Sequence, residues 1–545
     1  MKKVTTLATL ALGVLQAFSQ SIGLIQHSAQ SLDDGYVLFA PITSNTVFLI
    51  DKCGKQVKTW NSAYKPGQSV YLLQDGNLLH TGNANNNTFN AGGKGGVIEK
   101  IDWNGNVVWS YTVSDAGKCQ HHDAKALPNG NILVIAWESK TGAQAIAAGR
   151  NPTLVPSTLW SEQILEIQPV GTNSGNIVWE WHLWDHLVQD FDNTKSNYGT
   201  VASSQQLVNL NFNASATNSD WIHLNSIDYN PSLDQILLSS HALSEVWVID
   251  HSTTSAQAAS HAGGNSGMGG DIIYRWGNPQ SYNKGSAADQ KFFGQHNAYW
   301  IENGLPNAGQ IMVFNNGLNR TGGNYSTAEI INPPYSAYTY SNSLPYLPAG
   351  SSWIYNAGNT HSYYAQNISS AQQLSNGSVL LSNGPAGDFT EVDASGNTIW
   401  EYINPVSATG IMAQNSTPTQ NLSFRCTFYP ASFSGFSGKT LSSGSIIENS
   451  NTVSASCNLL TALENIQERN ALQVFPNPCE NYLTVSLPGK TFDVLVYNAN
   501  GDLLYTKQRM EEKMEMDVSA LPAGVYLLRI KTKDQTVYNK KISVR

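Results

Sequence analysis

Polar and apolar positions alternate in short runs along this 545-residue chain, and one arrangement of them recurs. It opens on a turn of the type Leu-Pro-Asn-Gly-Asn. An apolar run follows, then a second one ending in Asp, a Gly-Asn turn, and a last run ending in Trp. LLQDGNLLHT (72–81) with VIEKIDWNGNVVWSY (97–111) is one clear copy, and ALPNGNILVIAWE (126–138) with ILEIQPVGTNSGNIVWEW (164–181) is another. YNPSLDQILLSSH (229–241) leads to VWVIDHSTT (246–254) and DIIYRWG (271–277). IENGLPNAGQIMVFNNG (301–317) leads to AEIINPP (328–334), and QQLSNGSVLLSNG (372–384) to FTEVDASGNTIWEY (389–402). A first copy at 36–60 lacks its opening turn. Short alternating runs between Asn-Gly turns predict strands joined by tight hairpins. Helix signals are nearly absent.

Six such units at a spacing of roughly 40–70 residues predict a repeat architecture, because one unit cannot bury its own apolar faces. Four-stranded blades meet that need, so an all-β, six-bladed β-propeller with a central channel is expected over residues 20–450. The Trp that ends each unit is expected between blades. Composition then changes: over 472–545 Met, Glu, Lys and Leu rise while the Asn/Ser/Gly background falls. Short alternating runs at Leu472–Phe475, Leu483–Leu487, Val494–Tyr497, Val525–Ile530 and Val537–Val544 predict a small C-terminal β-sandwich after a linker at 451–471.

Charged residues make up only 13% of the chain, about half the usual ~25% for a globular protein. Fourteen Trp, 24 Tyr and 16 Phe supply ample material to bury, which argues against disorder. A net charge of −9 argues against a nucleic-acid partner, which calls for a basic face. Lys2-Lys3, the apolar stretch Val4–Phe18, and small residues at Ala17 and Ser19 read as a secretory signal over 1–19, with the mature chain starting at Gln20. That stretch is shorter than the ~20 residues of a membrane span, and no other segment qualifies. An exported chain without a membrane span meets a compartment that permits disulfides. Cys53, Cys119, Cys426, Cys457 and Cys479 contain no CxxC pair and allow at most two bridges.

Candidate chemistry gathers at one phase of the repeat. QHHDAKALPNG (120–130), WIHLNSIDYNP (221–231) and GQHNAYWIENG (294–304) each precede an opening turn. Counted back from the following apolar residue, His122 and His296 share one offset and His121 and His223 the next. Asp123, Asn225 and Asn297 share a third. Equivalent positions of different blades lie on a ring around the channel, so these segments are expected to converge. His27, His182, His186, His251 and His261 lie off the phase, and His80 and His361 are weaker channel candidates. Clustered neutral imidazoles suit either a metal ion or nucleophilic transfer of an acyl, phosphoryl or sulfuryl group. With Asp123 as the sole carboxylate in phase, a metal is not favoured and no cofactor is called for. GxSxG, P-loop, HExxH and EF-hand patterns are missing.

Two resemblances go further. HHDAKALPNGN (121–131), DWIHLNSIDYNPSLDQILLSS (220–240) and FGQHNA (293–298) strongly resemble the aryl-sulfate sulfotransferase family, PAPS-independent exported six-bladed propellers, over most of residues 25–435. The resemblance implies a channel histidine sulfated by an aryl sulfate donor, which then passes the group to a phenolic acceptor in a ping-pong cycle. It implies His296 as nucleophile and His223 as a second active-site histidine. The third is His122, with His121 left open beside it. Asn225 and Asn297 are implied in sulfuryl binding. One departure stands out: the family places an arginine after the Ser-Ser pair, where this chain has Ser239-Ser240-His241. His241 if protonated, Arg275 or Arg425 are the candidates to replace that cation, since spreading charge on sulfuryl oxygens calls for fixed donors. The departure also leaves open a non-catalytic propeller binding glycan or phenolic ligands at the cell surface, or a metal-dependent hydrolase. At the other end, FPNPCENYLTV (475–485), LPAGVYLLRI (521–530) and KKISVR (540–545) closely resemble the C-terminal sorting domain of the type IX secretion system of Bacteroidetes. That resemblance implies the type IX machinery as a partner, export through periplasm and outer membrane, and release or surface attachment.

Overall fold

The computed structural model describes residues 21–29, 31–341, 345–355, 363–450, 457, 472–498, 502–533 and 537–545. The signal at 1–19, the linker at 451–471 apart from Cys457, and His361 lie outside the described residues. The chain divides into two compact units, 1–453 and 454–545.

The first unit is all-β in its framework, and six antiparallel sheets of four or five strands carry its described residues. The first joins Gly35–Pro41, Thr46–Asp51 and Gln56–Asn61 to a strand from far along the chain, Ser423–Pro430. Consecutive hairpins build the second from Pro66–Leu72 to Val107–Thr112 and the third from Lys118–Ala126 to Ser174–His182. The fourth runs from Leu224–Asn230 to Ile272–Trp276, and the fifth from His296–Trp300 to Trp353–Tyr355. The sixth begins at Ser370–Gln373, and Gly23–His27 is added beyond its strand Thr398–Ile403. Both ends of the unit are thus tied into sheets made mostly of distant sequence.

Local chemistry makes the hairpins. Gly76, Gly130 and Gly377 hold φ of 83°, 88° and 89°. This lets the amides of Leu73, Leu127 and Leu374 reach the carbonyls of Asn77, Asn131 and Ser378 at 2.8–2.9 Å. A left-handed residue at this point of a short loop is what glycine supplies without strain. The closing tryptophans link neighbouring sheets. Trp60 donates its indole N–H to Asp102 of the second sheet, and Trp109 to Ser174 of the third. Trp400 of the sixth donates to Lys52 of the first at 2.7 Å.

The first strands of three sheets carry a shared irregularity. Their pairing slips between Val134 and Ala136, between Leu224 and Ser226, and between His296 and Tyr299. His122 and Asn297, inside the first and third of these bulges, adopt φ of 52° and 52°, and His223, just ahead of the second, adopts 53°. A left-handed non-glycine residue costs on the order of 1–3 kcal/mol and persists only where the surroundings enforce it. The backbone therefore aligns His122 with His223 and Asn297, and His296 falls one residue earlier. The sequence offsets differ from this because the three bulges hold different numbers of extra residues.

In the second unit, Gln473–Phe475, Tyr482–Tyr497, Leu503–Asp517, Gly524–Thr532 and Val537–Val544 form one five-stranded sheet. The expected β-sandwich is corrected by this finding: the sheet is a half-barrel. One strand of 16 residues takes in both apolar runs, 483–487 and 494–497, and Leu503–Asp517, which carries no alternation, pairs with it. Val485, Val494, Val496, Leu528, Ile530 and Ile542 lie in its core. No described helix is long and apolar enough to cross a membrane. Cys119, Cys426 and Cys479 are buried thiols rather than halves of bridges.

Candidate active site

Five imidazoles from three sheets form a row. Ring centroids lie 5.1 Å apart from His121 to His122, 4.6 Å to His223, 5.3 Å to His241 and 5.2 Å to His296. His241 joins from the hairpin end, its amide bonded to the His223 carbonyl at 3.1 Å. Gly294 makes room for it, since a Cβ there would stand 3.0 Å from His241 Nε2. His121 is the deep end, fully buried and stacked on Trp137 at 4.0 Å. His223 is the more open member, with a side chain 20% exposed.

Partners fix where the hydrogens sit. Asn316 donates its amide hydrogens to the carbonyls of Ala365 (2.8 Å) and Ile368 (3.0 Å). Its Oδ1 must then be the atom 2.8 Å from His296 Nδ1. His296 therefore carries its hydrogen on Nδ1 and a bare lone pair on Nε2. Burial holds the His296 imidazole well below its ordinary pKa, and the neighbouring His241 adds to this, so the ring stays neutral. His223 is the opposite case. Burial alone would lower its pKa, but Asp220, with Oδ2 2.5 Å from Nδ1, reverses the sign and raises it. Trp137 steadies the other oxygen of Asp220 at 3.0 Å. At the deep end His121 reaches Glu162 Oε2 at 2.8 Å and His122 Nδ1 at 2.8 Å. Burial, reinforced by the charge of His223, pushes His122 well down.

The cation candidates separate. Arg275 spends all five donors on Glu245 (both carboxylate oxygens), the carbonyls of Gln205 and Leu207, and Ser281 Oγ. It has none left for a ligand. His241 is pushed down to about 3 by burial and by His223, so it is neutral at physiological pH. Arg425 enters from the last strand of the first sheet. It bonds Asp123 Oδ2 at 2.7 Å, the Tyr71 hydroxyl and the Asn225 carbonyl at 2.8 Å. Its Nε is buried without a partner, and its charge reaches His122 and His296. Asn225 donates to the Gln295 carbonyl beside His296 at 2.7 Å, while its own Oδ1 is orphaned. Asn297 instead accepts from the Ala371 amide at 3.2 Å and binds the fifth sheet to the sixth.

The channel candidate His80 is tied to Glu99, and of the off-phase histidines His182 is tied to Glu138, His251 to Asp234 and Glu166, and His186 and His261 to Asp271. His186, His261 and Asp271 bring three ligand atoms within 4.8 Å of one another. Their N···O separations of 2.7–2.8 Å are those of hydrogen bonds, shorter than the ~3.3 Å between ligands at ~2.0 Å on a tetrahedral ion. Glu162, Asp220 and Asn316 escaped the sequence reading. Glu162 has a signal, a carboxylate inside the apolar run of 159–167, and Asp220 stands three residues before His223.

Buried imidazoles, one of them raised in pKa by Asp220, lie beside a guanidinium, an arrangement that suits an anion and group transfer. The class agrees with the family: residues 21–425 match the model of the Arylsulfotransferase (ASST) family, and the chain belongs to it. Residues 473–545 match the secretion system C-terminal sorting domain of the type IX system. Membership supports aryl sulfotransferase activity, and the C-terminal domain supports export to the surface or secretion. No curated protein matches. Among solved structures, a protein of unknown function from Bacteroides caccae is similar at 12% identity, covering 72% of this chain and 98% of its own, with a TM-score of 0.40. A virginiamycin B lyase from Staphylococcus aureus is similar at 11% identity, covering 73% of this chain and 88% of its own, with a TM-score of 0.33.

Proposed function

We propose that the six sheets are the blades of a β-propeller, and that the histidine row at one end of its channel moves a sulfuryl group from an aryl sulfate to a phenolic acceptor. His296 Nε2 attacks sulfur, an N–S bond forms, and the S–O bond to the aryl group breaks with its electron pair on oxygen. In the second half the acceptor oxygen attacks sulfur, and the N–S electron pair returns to His296. A nucleophile of this kind must be neutral and present its lone pair, and both conditions follow from burial and from Asn316. The Asn316–His296 bond is the observation that carries the reading.

Charge on the sulfuryl oxygens needs fixed donors. His223, whose pKa Asp220 raises, supplies one when protonated, and the buried Arg425 Nε supplies another, in the role that an arginine at position 241 would fill. His122, neutral and open at Nε2, exchanges the proton of the leaving and attacking phenols. Asn225 holds the His296 strand through Gln295. The type IX machinery recognises residues 473–545, so the reaction takes place outside the outer membrane.

Intact-mass measurement after brief exposure to 4-nitrophenyl sulfate tests this. One added sulfuryl group mapping to His296, nitrophenolate release stimulated by phenol, and loss of both in His296→Ala are expected. Wild-type protein that gains no mass and releases no nitrophenolate overturns it.

A further inference from the structure

Glu162 is buried in the strand Thr158–Val170 and makes no ion pair with Lys or Arg. Its Oε1 accepts the Leu224 amide at 3.0 Å, and its Oε2 faces His121 Nε2 at 2.8 Å. His121 Nδ1 then faces His122 Nδ1, also at 2.8 Å. Carboxyl, imidazole and imidazole thus form an unbranched chain that ends at His122 Nε2, the nitrogen that carries no bond to protein. Each link has room for one hydrogen, and with both rings neutral, as burial favours, only two arrangements satisfy both links.

In one arrangement Glu162 is a carboxylate, His121 donates from Nε2 to it, and His122 donates from Nδ1 to His121. His122 Nε2 is then a bare acceptor. In the other, Glu162 is a carboxylic acid donating to His121 Nε2, and His121 Nδ1–H donates to His122. His122 Nε2 then bears a hydrogen. The two differ by one proton, and both rings are neutral in each.

We propose that Glu162 is the proton store of the site, a positioning residue that acts through His121 and His122. The inference rests on the sulfuryl-transfer reading for its use, but not for its existence. When an acceptor phenol attacks, its O–H bond breaks and the proton lands on His122 Nε2. The hydrogens of both links shift by one place, and Glu162 ends protonated. When an aryl oxide leaves, the shift runs backward and His122 Nε2–H becomes the O–H of the released phenol.

The chain removes an electrostatic obstacle. A proton held as an imidazolium at His122 would face His223, His121, His296 and Arg425 in a buried site, and each disfavours it. The same proton on Glu162 neutralises a carboxylate that burial and Asp220 already oppose; the amides of Leu224 and His223 and the charge of His223 favour the carboxylate, but burial and Asp220 outweigh them. The charge change therefore falls at the place where the surroundings welcome it.

Histidine-selective ¹⁵N labelling of the full chain tests this without any substrate. On lowering pH, His122 is expected to pass from an Nδ1–H to an Nε2–H ring with neither His121 nor His122 becoming an imidazolium. An imidazolium at either ring overturns the proposal. Glu162→Gln, whose amide can donate to His121 but cannot take up the proton, is expected to lock the second arrangement at all pH. It should slow the first half-reaction, sulfation of the enzyme read as single-turnover release of the donor's phenol, about 100-fold or more with phenyl sulfate and under about 10-fold with 4-nitrophenyl sulfate, whose leaving group needs no proton. Equal losses on both donors count against it, and should Glu162→Gln not fold, the wild-type titration decides. Wild-type protein that shows the ring switch yet transfers no sulfuryl group overturns the functional reading and not the store.

Discussion

Replacing Asn316 by Ala removes the acceptor that fixes the ring of His296. In the wild type the amide is locked by two carbonyls, so Oδ1 is the sole atom it can offer to Nδ1. Without it the Nδ1–H is a buried donor with no partner, which costs about 1–3 kcal/mol. That penalty falls on the reactive tautomer alone, because the alternative carries its hydrogen on Nε2. At about 1.4 kcal/mol per factor of ten, the share of rings able to attack sulfur drops roughly 5- to 150-fold. The burst of nitrophenolate on mixing with 4-nitrophenyl sulfate reads that step directly, normalised to folded protein because the carbonyls of Ala365 and Ile368 also lose donors. The ¹⁵N spectrum of His296 should show hydrogen on Nδ1 in the wild type and a mixture in the variant. A burst at the wild-type rate from Asn316→Ala would refute the assignment of the lone pair.

Asp220→Asn removes the charge that keeps His223 protonated. The cationic ring is present below its raised pKa and lost as pH rises through it, so the alkaline fall of kcat/KM should move to lower pH in the variant; an unmoved profile counts against His223 as the cation. Arg425→Gln should cost about 10²–10³ in kcat, the usual loss for one oxyanion donor. Arg275→Gln, which strands buried Glu245, should instead lower the unfolding midpoint with turnover per folded molecule kept, a contrast that calorimetry and initial rates together will read. His251 tests the electrostatics away from the site: Asp234 and Glu166 hold it up at about 9 although burial opposes them. Its contribution is full below an unfolded value near 6.5 and is lost as pH rises toward 9. The shift corresponds to about 3 kcal/mol at ~1.36 kcal/mol per unit. Denaturant unfolding of wild type and His251→Gln across that window should converge as pH rises, and parallel curves would sink the assignment.

Much of this was legible in sequence for a physical reason. Asn-Gly turns and alternating runs are local, so the hairpins at 73–77, 127–131 and 374–378 form where the pattern puts them. Shared repeat phase brought His122, His223 and His296 together, because equivalent first strands share an environment. What was not legible is long-range. The sheet partner of Gly35–Pro41 is Ser423–Pro430, which no local pattern announces. Bulges hide in sequence, since an extra residue changes register without changing composition, and the offsets of His121 and His122 slipped by one on that account. Leu503–Asp517 has charged residues at seven of its fifteen positions and is held as a strand by its neighbour Tyr482–Tyr497. Glu162 lies on the third strand of its sheet and Asn316 just after the second strand of another, so an eye on the first strands passes over them.

The histidine at position 241 changes the charge balance rather than filling the place of the family's arginine. An arginine there would set a second permanent cation beside His223 and beside His296, pressing the nucleophile's lone pair and competing with Asp220 for the same neighbourhood. A neutral ring at 5.2–5.3 Å from both leaves His223 as the cation of the row and leaves His296 unopposed. In the proposed reaction the cationic duty falls to Arg425, whose strand is contributed by the far end of the unit. Its position depends on the pairing of Ser423–Pro430 with Gly35–Pro41 and on the carboxylate of Asp123. Binding of the sulfuryl anion is thereby coupled to the closure of the first sheet, so loosening that strand should weaken the site before it unfolds the remaining sheets.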